Sequence, residues 1–153
     1  MLDELDVRPG HTALDLGCGP GTDFEALAAA VTATGTVLGI DHDQAIVEAA
    51  RARTADQPVV DVRSGDVHDL TLPDHCADRA RTDRVSQHVS DPRLALSEVH
   101  RVLRPGGRLV MGEPDWETPE TPGAGRQRST TSPAWTARRA RSTVSSFSPT
   151  GAT

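Results

Sequence analysis

Asp15 stands two residues ahead of Gly17, the first of three alternate glycines in the run Leu14-Asp15-Leu16-Gly17-Cys18-Gly19-Pro20-Gly21-Thr22. A second carboxylate, Asp41, closes the next apolar run. Glycine has no Cβ, so such a loop takes positive φ and lets bare backbone approach a ligand. A carboxylate at the end of the following strand can accept both hydroxyls of a ribose. These residues together suit a nucleotide-like ligand. A tight strand-to-helix turn needs glycine for geometry alone, but the match of loop and acid in one βαβ unit favours binding. The dinucleotide fingerprint is G-x-G-x-x-G, and here Thr22 stands where its third glycine belongs. Asp15 is unhelpful to a pyrophosphate. It suits a positive group, such as the ammonium of an amino acid or a sulfonium.

The elements that must position these residues alternate between strand and helix. Thr12–Leu16 is a short apolar run before the glycines, and Phe24–Val31 is an alanine-rich helix with Leu27 and Val31 on one face. Val37, Leu38 and Ile40 form a second strand that ends at Asp41, and Asp43 is an N-cap for a helix closed by Pro58. Val59, Val60 and Val62 read as a third strand. Ala77–Val85 must hold the fourth, although Asp78, Arg79, Arg81, Asp83 and Arg84 make it unusually charged. Asp91-Pro92 starts a helix, Arg104-Pro105-Gly106-Gly107 reads as a stop and turn, and Arg108–Gly112 reads as a fifth strand. Short joints between such elements imply a parallel α/β sheet with right-handed crossovers. Ligands of such sheets sit at the carboxyl ends of the strands, where the glycine run and Asp41 both fall.

Bulk composition narrows the function classes. The chain has 153 residues and a formal net charge of −6, which gives general nucleic-acid binding no support. No apolar run is long enough for a membrane span, and Met1-Leu2-Asp3-Glu4 lacks a signal pattern. Cys18 and Cys76 do not suggest a disulfide framework, so a cytoplasmic setting is expected. Composition changes near Thr118. Residues 118–153 are rich in Thr, Ser, Pro and Arg, carry a net charge of +4 and show no apolar period. Such a segment cannot offset its ordering entropy, so 1–117 is expected to be the folded domain and 118–153 a disordered tail.

On these motifs the chain resembles the class I S-adenosylmethionine-dependent methyltransferases, within the broad group that includes the menaquinone and ubiquinone C-methyltransferases. Leu14–Thr22 resembles the family's first motif, and Val37-Leu38-Gly39-Ile40-Asp41 its second-strand motif. Gly65-Asp66-Val67 resembles the loop that holds adenine. Arg101–Leu109 resembles the joint between the last helix and the fifth strand. The resemblance covers about residues 8–117. It implies a Rossmann-like doubly wound sheet of order 3-2-1-4-5, S-adenosyl-L-methionine as cofactor and a small-molecule methyl acceptor. It also implies that Gly17, Cys18, Gly19 and Gly21 pack against the methionine part, with Asp15 near its amino end. Asp41 would hold the ribose and His42 would line the adenine side. Asp66 would accept from the adenine amino group, and Val67 would touch the ring. Thr82 and Asp83 end the fourth strand, where the family's transfer site opens. Gln87 and His88 follow; His88 is a candidate general base, with a structural histidine as its alternative. Glu113 and Asp115 could face a substrate.

The sequence also departs from the family. Only Met1–His11 precede the first strand, where members carry a helical region. Nothing in 118–153 reads as the family's further helix and last antiparallel hairpin, so a truncated or frame-shifted member is expected. The fifth strand would then be an open edge prone to self-association. Two alternatives stay open: a non-catalytic cofactor-binding remnant, and a nicotinamide-dependent Rossmann oxidoreductase.

Overall fold

The computed structural model describes residues 2–83 and 89–112. Gln87, His88, Glu113, Asp115 and the 118–153 segment lie outside the described residues. The elements are α1 (Leu2–Leu5), β1 (Thr12–Leu16), α2 (Phe24–Val31), β2 (Thr36–Asp41), α3 (Gln44–Arg53), β3 (Val60–Ser64), β4 (Ala77–Asp83), α4 (Pro92–Val102) and β5 (Leu103–Gly112). The five strands are parallel in the order β3-β2-β1-β4-β5, as the resemblance implied. The order reverses between β1 and β4, so the crevice at this switch point opens beside the glycine run.

Strand alternation sorts the core into two layers. On one face Leu14, Leu16, Leu38, Ile40 and Ala80 pack with Val99 and Val102 of α4. On the other, Ala13, Val37, Val62 and Val110 pack with Phe24, Leu27 and Val31 of α2 and Val47 and Ala50 of α3. Gly39 is fixed by this second layer: a Cβ there would lie 2.3 Å from Phe24 Cζ and 3.0 Å from Cys18 Sγ. The Phe24 ring therefore fills the space a side chain would need, and seats the start of α2 directly on β2.

The capping expectations hold at two helices. The Asp43 carboxylate accepts from the Ala45 and Ile46 N–H groups, and Asp91 accepts from Arg93 and Leu94 with Pro92 in the first turn. Arg101 of α4 secures the long β3–β4 connection. It donates to the Leu70 and Leu72 carbonyls and pairs with Glu98 and Asp74, while Glu98 accepts from the Leu70 N–H.

Two expectations need correction. The turn expected at Arg104–Gly107 lies inside β5: Leu103 pairs with Ala77 and Arg108 with Arg79, so the residues between them bulge from a continuing strand. Gly106, at φ +79°, supplies the conformation this detour needs. Met1–His11, to which the sequence assigned no element, contains α1. Its Leu5 is fully buried, and Arg108 Nη1 donates to the Glu4 carbonyl at 2.8 Å.

Candidate functional site

The glycine loop is pinned from below by the end of β2. The Gly17 and Cys18 N–H groups both donate to the Ile40 carbonyl, at 2.7 and 3.1 Å. Gly19 N–H donates to Asp41 Oδ2 at 3.0 Å, and Gly21 N–H returns to the Cys18 carbonyl. Gly17, Gly19 and Gly21 all have positive φ. A Cβ on Gly19 would meet nothing within 4 Å, so this part of the loop borders open space. These four N–H groups are thus spent within the protein, unlike those of an anion cradle, which face the ligand.

Asp41 ties three loops together at the carboxyl edge. Its side chain accepts from Gly19 and, through Oδ1, from the Asp43 N–H at 3.1 Å; its own carbonyl accepts from the Gly65 N–H at 2.9 Å. An ionised carboxylate has about four acceptor positions, so two remain for a ligand. His42 is 84% exposed beside it, with Nδ1 3.5 Å from Asp41 Oδ1.

Asp15 is 3% exposed and sits opposite Arg81 in the β1–β4 register. Burial pushes its carboxyl up to about 7, against the pull of Arg81; Asp23, Asp83 and Asp41 push in the same direction as burial. Burial, then the charges of Asp15 and Asp41, pushes the Cys18 thiol up to about 12. Cys18 is therefore a packed thiol and not a nucleophile.

Asp66 and Val67 lie on the connection after β3. Val67 packs against the α4-side core. Asp66 is exposed, and the His68 backbone N–H, followed by the His68 ring, holds its carboxyl below the usual range. The Asp91 N–H donates to His68 Nε2 at 3.2 Å, so the ring proton is on Nδ1 and is donated to Asp66 Oδ1 at 2.6 Å. Thr82 is buried at the end of β4, in register with Leu16 and Met111 and so on the α4 face, away from Asp15.

The structure thus brings Asp15, Gly17, Cys18, Gly19, Gly21 and Asp41 together at one sheet edge. Asp66 and Val67 lie on the adjoining loop. Sequence reasoning missed Arg81, Asp23 and His68. Arg81 had a signal: a strand covered on both faces tolerates charge only when it is paired. His68 had none, since its partners lie partly across the β4 connection.

This architecture is that of a nucleotide-type α/β domain whose loop is lined with acid. The chain belongs to the methyltransferase domain family, whose model matches residues 14–111. It is 64% identical over 118 residues to an uncharacterized 37.1 kDa protein in transposon TN4556 of Streptomyces fradiae, covering 77% of this chain and 34% of that protein. It is 36% identical over 113 residues to the demethylmenaquinone methyltransferase of Staphylococcus aureus, covering 74% of this chain and 47% of the relative. The crystal structure of a SAM-dependent methyltransferase from Aquifex aeolicus superimposes with a TM-score of 0.74 at 26% identity, over 78% of this chain and 65% of that one. The chain therefore spans about a third to a half of these curated relatives' length. No helix among the described residues is long and apolar enough to cross a membrane.

Proposed function

We propose that this chain binds S-adenosyl-L-methionine and forms the cofactor half of a methyltransferase acting on a small-molecule acceptor. The observation that carries this reading is the polarity of the glycine loop. Its N–H groups are paired internally, and buried carboxylates, Asp15 and Asp41, lie beneath it. A pyrophosphate would meet negative charge there, with the Gly17, Cys18, Gly19 and Gly21 N–H groups already paired. A ligand with ribose hydroxyls and a cationic amino-acid end meets acceptors at both positions. The open space over Gly19 leaves room for its backbone-hugging part.

In this reading Asp41 holds the ribose through its two remaining acceptor positions, and Asp15 faces the ammonium. Gly17, Cys18, Gly19 and Gly21 line the methionine chain. His42 and Val67 border adenine, and Asp66 accepts from its amino group. When bound, the cofactor supplies a methyl on a sulfonium, an activated donor that leaves as a neutral thioether. The chain's own contribution is then mainly orientation and exclusion of water. Thr82, at the end of β4, is on the side where the acceptor would enter, and His88 is the candidate base in the segment beyond it. Demethylmenaquinone is the acceptor named for the Staphylococcus relative. With less than half of that protein covered, the proposal here stays at a small molecule.

Calorimetry with S-adenosylhomocysteine and with NAD tests the reading on the full chain. Binding of the first alone is expected. Binding of NAD alone would return the chain to the oxidoreductase alternative, and binding of neither by folded protein would leave the non-catalytic remnant. Asp41→Ala should weaken S-adenosylhomocysteine about 10- to 100-fold, the effect of losing hydrogen bonds to a charged acceptor. Unchanged affinity would remove Asp41 from the ribose site.

A further inference from the structure

β4 should be the worst place in this fold for an arginine. It is a central strand, paired with β1 on one side and β5 on the other, and it is covered on both faces. Arg81 is nevertheless 3% exposed in the middle of it. Its Nη1 donates to Asp23 Oδ2 at 2.5 Å, its Nη2 lies 3.7 Å from Asp83 Oδ2 and its Nε lies 3.5 Å from Asp15 Oδ1. Three carboxylates thus converge on one cation. Asp23, which precedes α2, makes no side-chain cap for that helix because its carboxylate is drawn to Arg81. The Nε itself has no hydrogen-bond partner among the described residues.

This arrangement is poorly built for stability alone. A buried ion pair rarely outperforms apolar residues of similar volume, and an unpaired buried donor adds a cost. Two residues earlier on the same face, Arg79 shows the structural solution: it donates to the Asp6 and Asp78 carbonyls. Arg81 is surrounded by acid instead, at the carboxyl edge beside Gly19. With all three carboxylates ionised the cluster carries excess negative charge. Asp41 of β2 adds to it from the other side of Asp15, and the neutral Cys18 thiol does not relieve it. Arg81 alone does not neutralise its three carboxylates, and a further cation is favoured beside Asp15.

We propose that Arg81 is a positioning residue of the cofactor site, fixing the Asp15 carboxylate and balancing part of its charge so that it can receive the ammonium of an amino-acid nucleotide. The assignment rests on the methyltransferase reading above. Arg81 supplies one positive charge from the neighbouring strand, and the ligand supplies the second from the side of the glycine loop. Neither Asp23 nor Asp83 substitutes for Asp15, because both are more exposed and lie nearer the guanidinium's outer nitrogens. The raised carboxyl of Asp15 agrees with this: burial and three acids outweigh Arg81 until a further cation arrives.

The test is S-adenosylhomocysteine affinity as a function of pH, measured on the full chain by calorimetry. The ligand's ammonium needs Asp15 ionised, so wild-type affinity should rise with pH and level off above about 7. Arg81→Gln removes the balancing charge and should move that midpoint up by about 1–3 pH units. Affinity at pH 7 then falls by about 5- to 500-fold, and Arg81→Lys should restore part of the shift. Asp23→Asn, at a half-exposed position that tolerates change, frees the guanidinium for Asp15 and should move the midpoint down. It keeps the test open if Arg81→Gln does not fold. Superimposable profiles for wild type and Asp23→Asn, or for wild type and folded Arg81→Gln, overturn the assignment and leave the methyltransferase reading standing. No binding by folded wild type overturns both.

Discussion

The two ends of the α2-side sheet face handle buried charge in opposite ways. At the amino end, Arg79 donates to the Asp6 and Asp78 carbonyls, Arg108 donates to the Glu4 carbonyl, and the Asp78 carboxylate accepts from the Thr12 N–H at 2.8 Å. Carboxylates take part as well, with Asp6 3.5 Å from Arg79 Nη2 and Asp78 accepting from Arg104, but each arginine spends donors on backbone carbonyls or on a single acid, and the charges fasten α1 and the start of β1 to the sheet. At the carboxyl end, Arg81 is held by carboxylates, and its Nε, 3.5 Å from Asp15 Oδ1, has no hydrogen-bond partner among the described residues. The first arrangement closes a fold. The second leaves an electrostatic imbalance that a ligand can correct, at the edge where a doubly wound sheet binds its ligands. A charged strand alone therefore does not mark a site; the kind of partner each charge finds does.

The largest effect expected from breaking this contrast is at β4. Arg81→Met strands buried Asp15 without its cation and should cost about 3–5 kcal/mol in urea unfolding. Arg79→Met loses hydrogen bonds to carbonyls and should cost about 1–3 kcal/mol. Equal losses would mean that the two ends are electrostatically alike.

The two ends should also respond oppositely to pH. Asp15 has its carboxyl raised from 3.8 to about 7 by burial. Its contribution to folding is fully present below 3.8 and is lost as pH rises through about 7, amounting to about 4 kcal/mol for a shift of that size. Burial pushes Asp78 up as well, but the Thr12 N–H and Arg104 more than offset it and leave its carboxyl lowered. Its contribution is present above 3.8 and is lost as pH falls below that value. Unfolding free energy of Asp15→Asn and Asp78→Asn, each subtracted from wild type across pH 3–8, should give difference curves of opposite slope. Parallel curves would remove the distinction.

How much of this was legible in the sequence depended on the range of the interaction. The glycine run, Asp41 and the caps at Asp43 and Asp91 are local patterns, and each sits where the sequence placed it. The bulge at Arg104–Gly107 was misread as a stop because proline and glycine punctuate turns and bulges alike; only pairing with Ala77 and Arg79 separates the two. The charges of β4 were visible, but their meaning was not. Asp15 and Asp23 lie far from Arg81 in sequence, and the register that brings Asp15 opposite Arg81 belongs to the sheet. His68 was invisible for the same reason, since Ser90 and Asp91 complete its surroundings from the start of α4.

A smaller effect separates the rim of the site from its base. Gly39 is no part of the loop, yet Phe24 Cζ lies 2.3 Å from where its Cβ would be. Gly39→Ala must displace the ring and should cost about 1–3 kcal/mol. Gly19→Ala places its methyl in open space and strains only φ, which is +55°, so it should cost about 1–2 kcal/mol. Binding should reverse the ranking, because only Gly19 borders the proposed ligand. Thermal unfolding and S-adenosylhomocysteine titration of both variants decide it, and a loss of affinity confined to Gly39→Ala would move the ligand off the loop.

The smallest effect compares two helix starts. Asp43 accepts from the Ala45 and Ile46 N–H groups and works as an ordinary cap, so Asp43→Ala should cost about 0.5–2 kcal/mol. Asp23 occupies the equivalent place before α2, but its carboxylate serves Arg81 and caps nothing. Asp23→Ala should therefore leave α2 intact; its cost comes from Arg81 Nη1 losing its acceptor, offset in part because Asp15 is relieved of a like charge. Amide exchange in the first turn of α2 reads this directly. Unchanged protection there is expected; a selective loss would show that Asp23 belongs to the helix and not to the charge cluster.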